Sequence, residues 1–377
     1  MTDLTALRKY LHAHPELSNE EHRTADYMKE QLAKLNHPPA IVSLGGTGFA
    51  AVFKNRSAAE GPRILLRCEL DALPIEEVNT FEYRSDKDEV SHKCGHDGHM
   101  TILYGVALWL DEHMPGRGEV VLLYQSAEET GDGAVEAIQH ENFKQVEPEL
   151  VFALHNLPGR PMHEVYLKNG TITPSVKSLI FRYKGKTSHA AEPENGLNPA
   201  MAMAYTIQLC DEMTVNDPSR DDFYLITPVY QTMGEKAYGI SAGYGEVHLT
   251  IRSWSEDLFR DRCDELIEAV KAESEKHGLD LEFEWCFEFQ ANVNAEGATD
   301  IVRSAAKAAG CEMHEMKEPF KFGEDFGVFT QQYPGTMFGL GSGVDTPALH
   351  NPDYDYPDEL TATGVALFTE ILKNQLG

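Results

Sequence analysis

Nowhere does the sequence hold an apolar run approaching the ~20 residues that a bilayer-spanning helix requires. Basic groups are also scarce. Lys and Arg number 32 against 61 Asp and Glu, for a formal net charge of −29. A surface so acidic repels phosphate backbones and anionic lipids, so neither nucleic acid nor a membrane is an expected partner. The six cysteines (Cys68, Cys94, Cys210, Cys263, Cys286 and Cys311) lack any paired spacing. That pattern implies reduced thiols, not a disulfide framework. The opening MTDLTALRKYLHAHPEL is amphipathic and lacks the apolar segment of a secretory signal, so the expected location is the cytoplasm. Internal repeats and low-complexity tracts are absent as well.

What is present looks like an ordinary globular chain. Its 377 residues are 42% hydrophobic and 25% charged, and that length favours two domains over one core. LSNEEHRTADYMKEQLAKLN opens with Ser18 and Glu21 in capping-box spacing and continues with helical period. GFAAVFK, RILLRCEL, EVVLLYQ and ELVFALH read as strands; MTILYGVALWLDEH and GAVEAIQH read as helices. Strands alternating with helices predict an α/β fold, a mainly parallel sheet with helices on both faces. From about Ser175 the rhythm changes to strand, helix, strand, helix, strand with one-sided alternation, which predicts a smaller α+β unit. The βα character returns after Gln290. The expected organisation is a first part at 1–174, an inserted domain at 175–290 and a returning part at 291–377.

The densest chemistry lies in VSHKCGHDGHM, residues 90–100. In an open parallel sheet, ligands bind beyond the carboxyl ends of the strands. There RILLRCELDALP delivers Glu69 and Asp71, EVVLLYQSAEE delivers Glu128 and Glu129, and ELVFALHNLP delivers His155. Cys94 and His96 precede a helix, and His350 lies in the polar loop TPALHNPDYDYPDE. Each group also has a plain explanation: a lone histidine after a strand is usually hydrogen bonded, and paired glutamates usually face solvent. Against this, the glutamates directly follow a buried strand, where a carboxylate loses hydration unless something compensates. On chemistry alone both a metal site and a polar turn stay open. If a metal binds, imidazole and thiolate suit Zn²⁺, carboxylates extend the choice towards Mn²⁺ or Co²⁺, and one glutamate can bind while its neighbour acts as base.

Taken together, LHAHPELS, LRCELDALP, HKCGHDGH, YQSAEE, ALHNLPG, SHAAEPENGLNPA, GEDF, PGTMFGLG and LHNPDYDYPDE resemble the M20 metallopeptidase family. The likeness is to its amidohydrolase branch of N-acyl-amino-acid, hippurate and auxin-conjugate hydrolases, and it runs in order along the whole chain. The resemblance implies a catalytic domain interrupted by a lid domain that also forms a homodimer. It implies two divalent metal ions per subunit (Zn, Mn, Co or Ni) held by Cys94, His96, Glu129, His155 and His350. Glu128 takes the position of the general base, and Asp71 that of the acid supporting a metal ligand. His189 takes the position of a lid histidine that enters the partner's site and stabilises an oxyanion. Arg252 matches an arginine able to bind a substrate carboxylate or to form a structural salt bridge. His12, His14, His92 and His99 are expected to lie outside the ligand set.

The chain departs from the family at YGISAGYGE, where Gly239, Ile240, Ser241 and Ala242 stand in place of an Asn-Val-Ile-Pro segment. In relatives the asparagine helps to hold the substrate, so a changed substrate is expected. Milder departures are Ser126 for proline, Glu69 for aspartate, Asn198 for aspartate and Gly323 for serine. The expected activity is cleavage of the amide of a small N-acyl amino acid or similar amide. A dipeptidase of the same fold and a non-catalytic, metal-dependent binding or sensor protein are the alternatives.

Overall fold

A computed structural model describes residues 3–55 and 59–377, so the first two residues of the N-terminal stretch lie outside the described residues. The chain divides into two compact units. One comprises Met1–Ile172, Asn292–Lys317 and Glu324–Gly377; the other comprises Thr173–Ala291 and Glu318–Gly323.

The first unit is built on an eight-stranded sheet. Its strands run in the order Ala40–Ser43, Phe49–Lys54, Glu119–Gln125, Arg63–Glu69, Leu150–Leu157, Gly335–Gly341, Val165–Leu167, Met313–Glu315. The four in the middle, Glu119–Gln125 to Gly335–Gly341, are mutually parallel. They are buried along almost their whole length, which is why each reads as a continuous apolar run without alternation. Phe49–Lys54 joins antiparallel to Glu119–Gln125. One core cluster unites alternate residues of these strands, such as Leu66, Leu122 and Leu154, with Leu7, Met28, Leu103, Val302 and Leu367 of the helices.

The helix His96–Glu112 is buried over most of its surface, including its polar first turn. It packs on Leu360–Leu376, and glycines permit the close approach. A Cβ added at Gly105 would lie 2.4 Å from Val365, and one at Gly364 would lie 2.4 Å from Ile102. The mainly parallel α/β architecture is therefore as the strand and helix patterns predict.

The second unit has a four-stranded antiparallel sheet in the order Tyr224–Met233, Tyr244–Ser253, Ser175–Lys184, Asp280–Phe289. Its inward residues, among them Leu179, Phe181, Val247 and Leu249, meet Met203 and Cys210 of Ala200–Met213 and Phe259 and Leu266 of Glu256–Lys276. The Ser255 hydroxyl caps the latter helix by accepting from the Leu258 N–H at 3.1 Å. Ion pairs Arg182–Glu284 and Lys177–Glu288 link neighbouring strands of this sheet. The strand Tyr224–Met233 is absent from the sequence reading because Pro228 interrupts it. Proline cannot donate to a ladder and is confined to edge strands or bulges. Here both conditions hold: the strand is an edge, and its register shifts between Pro228 and Tyr230. Among the described residues, no helix is long and apolar enough to cross a membrane.

Candidate metal centre

All five predicted ligands, and the predicted base, fall in the first unit. Because Arg63–Glu69, Glu119–Gln125, Leu150–Leu157 and Gly335–Gly341 are parallel, their carboxyl ends share one edge of the sheet. Asp71, Glu128 and Glu129 follow two of these ends, His155 lies within the third, and the segment after the fourth leads to His350. The turn Cys94-Gly95-His96 enters the same space. Gly95 has φ +92°, and a Cβ there would stand 2.7 Å from Asn156 Oδ1 and 2.8 Å from Tyr354 Oη. A side chain at this position meets both a conformational and a steric barrier, so the cysteine and histidine flank an obligatory glycine.

The candidate donor atoms form overlapping groups, each with all its atoms within 4.8 Å of one another: Cys94–His96–His155, Cys94–Glu129–His350 and His96–Glu128–Glu129. Asp71 organises two members. Its main-chain carbonyl accepts from His96 Nδ1 at 2.9 Å, with Oδ1 3.2 Å from the same nitrogen. Its Oδ2 accepts from the Glu129 N–H at 2.9 Å and from the Ser18 hydroxyl at 2.8 Å. With Nδ1 of His96 engaged, Nε2 points into the cluster, 3.9 Å from both Glu128 Oε2 and Glu129 Oε1. The backbone of His350, at φ +66°, is tied through its N–H to the Lys93 carbonyl at 2.8 Å, and its Nε2 stands 3.8 Å from Glu129 Oε2. Cys94 Sγ lies 3.4 Å from His155 Nε2.

This donor set fits divalent metal ions. His96 Nε2 and Glu129 Oε1 are buried with no hydrogen-bond partner, which is costly for polar atoms in a protein interior unless a ligand compensates. Electrostatics agree. Burial disfavours a charged His96, yet Glu69 and Asp71 raise its pKa to about 10, so the same field that attracts a proton would attract a cation. Burial pushes Glu129 up to about 7 and holds Glu128 well above the usual carboxylate range, the latter also by repulsion from Glu324. Burial and the nearby His99 hold His155 down, at about 3, so its ring is neutral and able to ligate. The Cys94 thiol is pushed up by burial and by Glu129; a bound cation reverses that preference.

Of the four histidines expected outside the ligand set, three have other partners. His12 bridges Asp97 at 2.8 Å and Glu77 at 3.1 Å, and His14 is half-buried with Nδ1 2.7 Å from the Tyr10 carbonyl. His99 donates from Nδ1 to Glu69 at 2.7 Å and accepts the Asn156 N–H at 3.3 Å, beside His155. His92 is buried with neither ring nitrogen hydrogen bonded. His189 and Arg252 lie in the second unit. His189 is exposed, in a two-residue pairing of Ser188–His189 with Ile240–Ser241, and its Nδ1 accepts the Ala191 N–H at 3.0 Å. Arg252 donates to the Lys321 carbonyl at 3.0 Å, and only burial perturbs it; no carboxylate partner does.

Several contributors were not anticipated. Arg67, wholly buried, binds Glu69, Glu324 and Asp325 on the flank of Glu128. A buried strand interior gives no signal for an arginine's partners, although Glu324 and Asp325 stand in the GEDF motif. Ser18 and Glu21 do not form the expected capping box. The helix is His22–Leu32 and has no side-chain cap, because Ser18 donates to Asp71 and the Glu21 carboxylate accepts from Thr47 and Ala127.

Known proteins resemble this chain. The curated relatives include the N-acetyl-L-cysteine deacetylase of Bacillus subtilis, 29% identical over 93% of this chain and 83% of its own length. They also include the N-acetyldiaminopimelate deacetylase of Bacillus licheniformis, 27% identical over 98% of this chain and 97% of the relative. Among solved structures, a dinuclear metal binding peptidase of the M20 family from Bacillus subtilis superposes with a TM-score of 0.84. It is 24% identical and covers 99% of this chain and 97% of its own, which shows the shared fold. The profile of peptidase family M20/M25/M40 matches residues 65–374, and the chain belongs to that family.

Proposed function

We propose that the protein is a metal-dependent amidohydrolase that cleaves a small N-acyl amino acid, with Glu128 as general base. The observation that carries this reading is the pair Glu128–Glu129, two carboxylates on one turn beside the unpartnered Nε2 of His96. Cys94, His96, Glu129, His155 and His350 would hold two divalent ions. When bound, such ions polarise an acyl carbonyl and lower the pKa of water to ~7. Asp71 fixes the His96 tautomer and the Glu129 backbone through its carbonyl and carboxylate. Glu128 takes the proton of the attacking water and passes it to the leaving nitrogen as the C–N bond breaks, giving a carboxylate and an amine.

The acetyl group in the names of both curated relatives favours a short acyl chain. His189 is assigned to the oxyanion and Arg252, free of a carboxylate partner, to the substrate carboxylate. A homodimer through the second unit accords with the edge strand Tyr224–Met233, which exposes Val229, Tyr230 and Met233. The deciding experiment is a hydrolysis screen of metal-reconstituted protein on N-acetyl, N-benzoyl and longer-chain amino acids beside unblocked dipeptides. Turnover of the acylated set is expected. Activity confined to dipeptides, or none on any compound, overturns the assignment.

A further inference from the structure

We infer that Glu21 is a positioning residue for the Glu128–Glu129 pair, acting through the backbone of Ala127; the inference rests on the reading of Glu128 given above. Ala127 directly precedes the pair and has φ +49°, in the left-handed region that residues with a Cβ rarely adopt. Such a conformation persists only where its surroundings over-determine it. The Ala127 carbonyl accepts from the Gly133 N–H at 3.1 Å, and the Glu128 carbonyl accepts from Gly131 at 2.8 Å. On the other side, the Ala127 N–H donates to Glu21 Oε1 at 2.8 Å, and the Glu129 N–H donates to Asp71. The base is thus bracketed by two buried carboxylates that hold the amides before and after it.

Glu21 has no simpler task. Its side chain is fully buried and gives its own helix no cap. Its Oε2 accepts from the Thr47 hydroxyl at 2.7 Å, which aims the other oxygen at Ala127. A carboxylate so completely removed from water carries a large desolvation cost, which a helix-start residue has no reason to bear. Without it, the Ala127 N–H loses its partner and the residue is released towards negative φ. That release turns the following glutamates away from His96.

The test uses full-length Glu21→Ala, Glu21→Gln and Glu21→Ala/Ala127→Gly proteins. With the best N-acetyl amino acid from the screen, Glu21→Ala is expected to lower kcat by about 10–100-fold, the scale of a small misplacement of a reacting group. KM should change less than about threefold, since the substrate contacts are retained. Glu21→Gln keeps an acceptor for Ala127 and should retain most of the activity. Ala127→Gly should restore part of the Glu21→Ala loss, because glycine adopts positive φ at little cost. Hydrogen exchange of metal-free protein supplies the second readout. The segment 127–129 should exchange faster in Glu21→Ala, with His22–Leu32 unchanged.

Equal exchange of 127–129 in parent and variant overturns the inference, as does faster exchange confined to the helix. If the parent hydrolyses no N-acyl amino acid, the functional reading fails, while exchange still decides the tether. Should Glu21→Ala not fold, Glu21→Asp takes its place, its shorter side chain being unable to reach both Thr47 and Ala127: faster exchange of 127–129 supports the inference, and exchange equal to the parent's refutes it.

Discussion

Replacing Arg67 with methionine should remove on the order of 5 kcal/mol of folding stability. The guanidinium is wholly buried, and so are the carboxylates around it. Nη2 donates to Glu324 at 2.8 Å and to Asp325 at 2.6 Å, Nη1 donates to Glu69, and Nε donates to Gln125 Oε1 at 3.0 Å. Breaking a buried ion pair from one side costs ~3–5 kcal/mol because the abandoned charge stays desolvated. Here one cation faces three carboxylates, which places the cost at the upper end. At roughly 2–4 °C per kcal/mol for a unit of this size, the melting temperature should fall by about 10–20 °C. Arg67→Lys keeps the charge and loses the planar fork, so a loss of about 2–3 kcal/mol is expected. Adding Glu69→Gln, Glu324→Gln and Asp325→Asn to Arg67→Met should recover most of the loss, since all three stranded charges are gone. Urea melts at pH 7 followed by circular dichroism give the midpoints. A loss below ~1 kcal/mol for Arg67→Met, or parent-like stability for Arg67→Lys, would refute the electrostatic argument.

Glu128→Gln should lower turnover by at least ~10²-fold, the usual contribution of a general base, with metal content by atomic emission close to the parent's. Parent-like turnover removes the base assignment. Cys94→Ala should bind less metal after identical reconstitution and dialysis; equal metal in variant and parent contradicts the ligand role. His12 provides a stability test against pH. Burial opposes its charge, but Asp97 and Glu77 outweigh that and raise its pKa from 6.5 to about 9. The stabilisation is complete below pH 6.5 and disappears as pH rises through 9. The window is worth about 3 kcal/mol at ~1.4 kcal/mol per unit. His12→Gln should flatten the urea midpoint across this window, and an unchanged slope excludes His12 as its source. At Gly239 a Cβ meets nothing within 4 Å, and the carbonyl that accepts from Ala190 is unaffected by a side chain. Gly239→Asn should therefore fold normally and lower KM several-fold for substrates with a free carboxylate, leaving their amides unaffected. Equal effects on both classes would contradict a carboxylate-directed role.

The sequence disclosed this architecture where side-chain pattern and burial coincide. The central strands are apolar throughout because both faces are covered, and His96–Glu112 is apolar around its circumference because it lies between other elements. The donor cluster was legible for a related reason: parallel strands bring their carboxyl ends together, so residues far apart in sequence share an edge. The edge strand with Pro228 was not legible, since its exposed side chains carry no burial pattern. Ser18 and Glu21 expose a deeper limit. A serine three residues before a glutamate is the local signature of a helix start, and local spacing cannot show that both side chains reach a distant turn instead. Arg67 and His99 were obscure on the same ground. Their partners lie 2, 58, 257 and 258 residues away for the arginine and 30 and 57 for the histidine, nearly all in contacts that only the folded sheet creates. Candidate metal donors announce themselves by residue type. The groups that tie those donors down use ordinary hydrogen bonds, which come into view only where the fold sets orphaned atoms and a strained turn beside their neighbours.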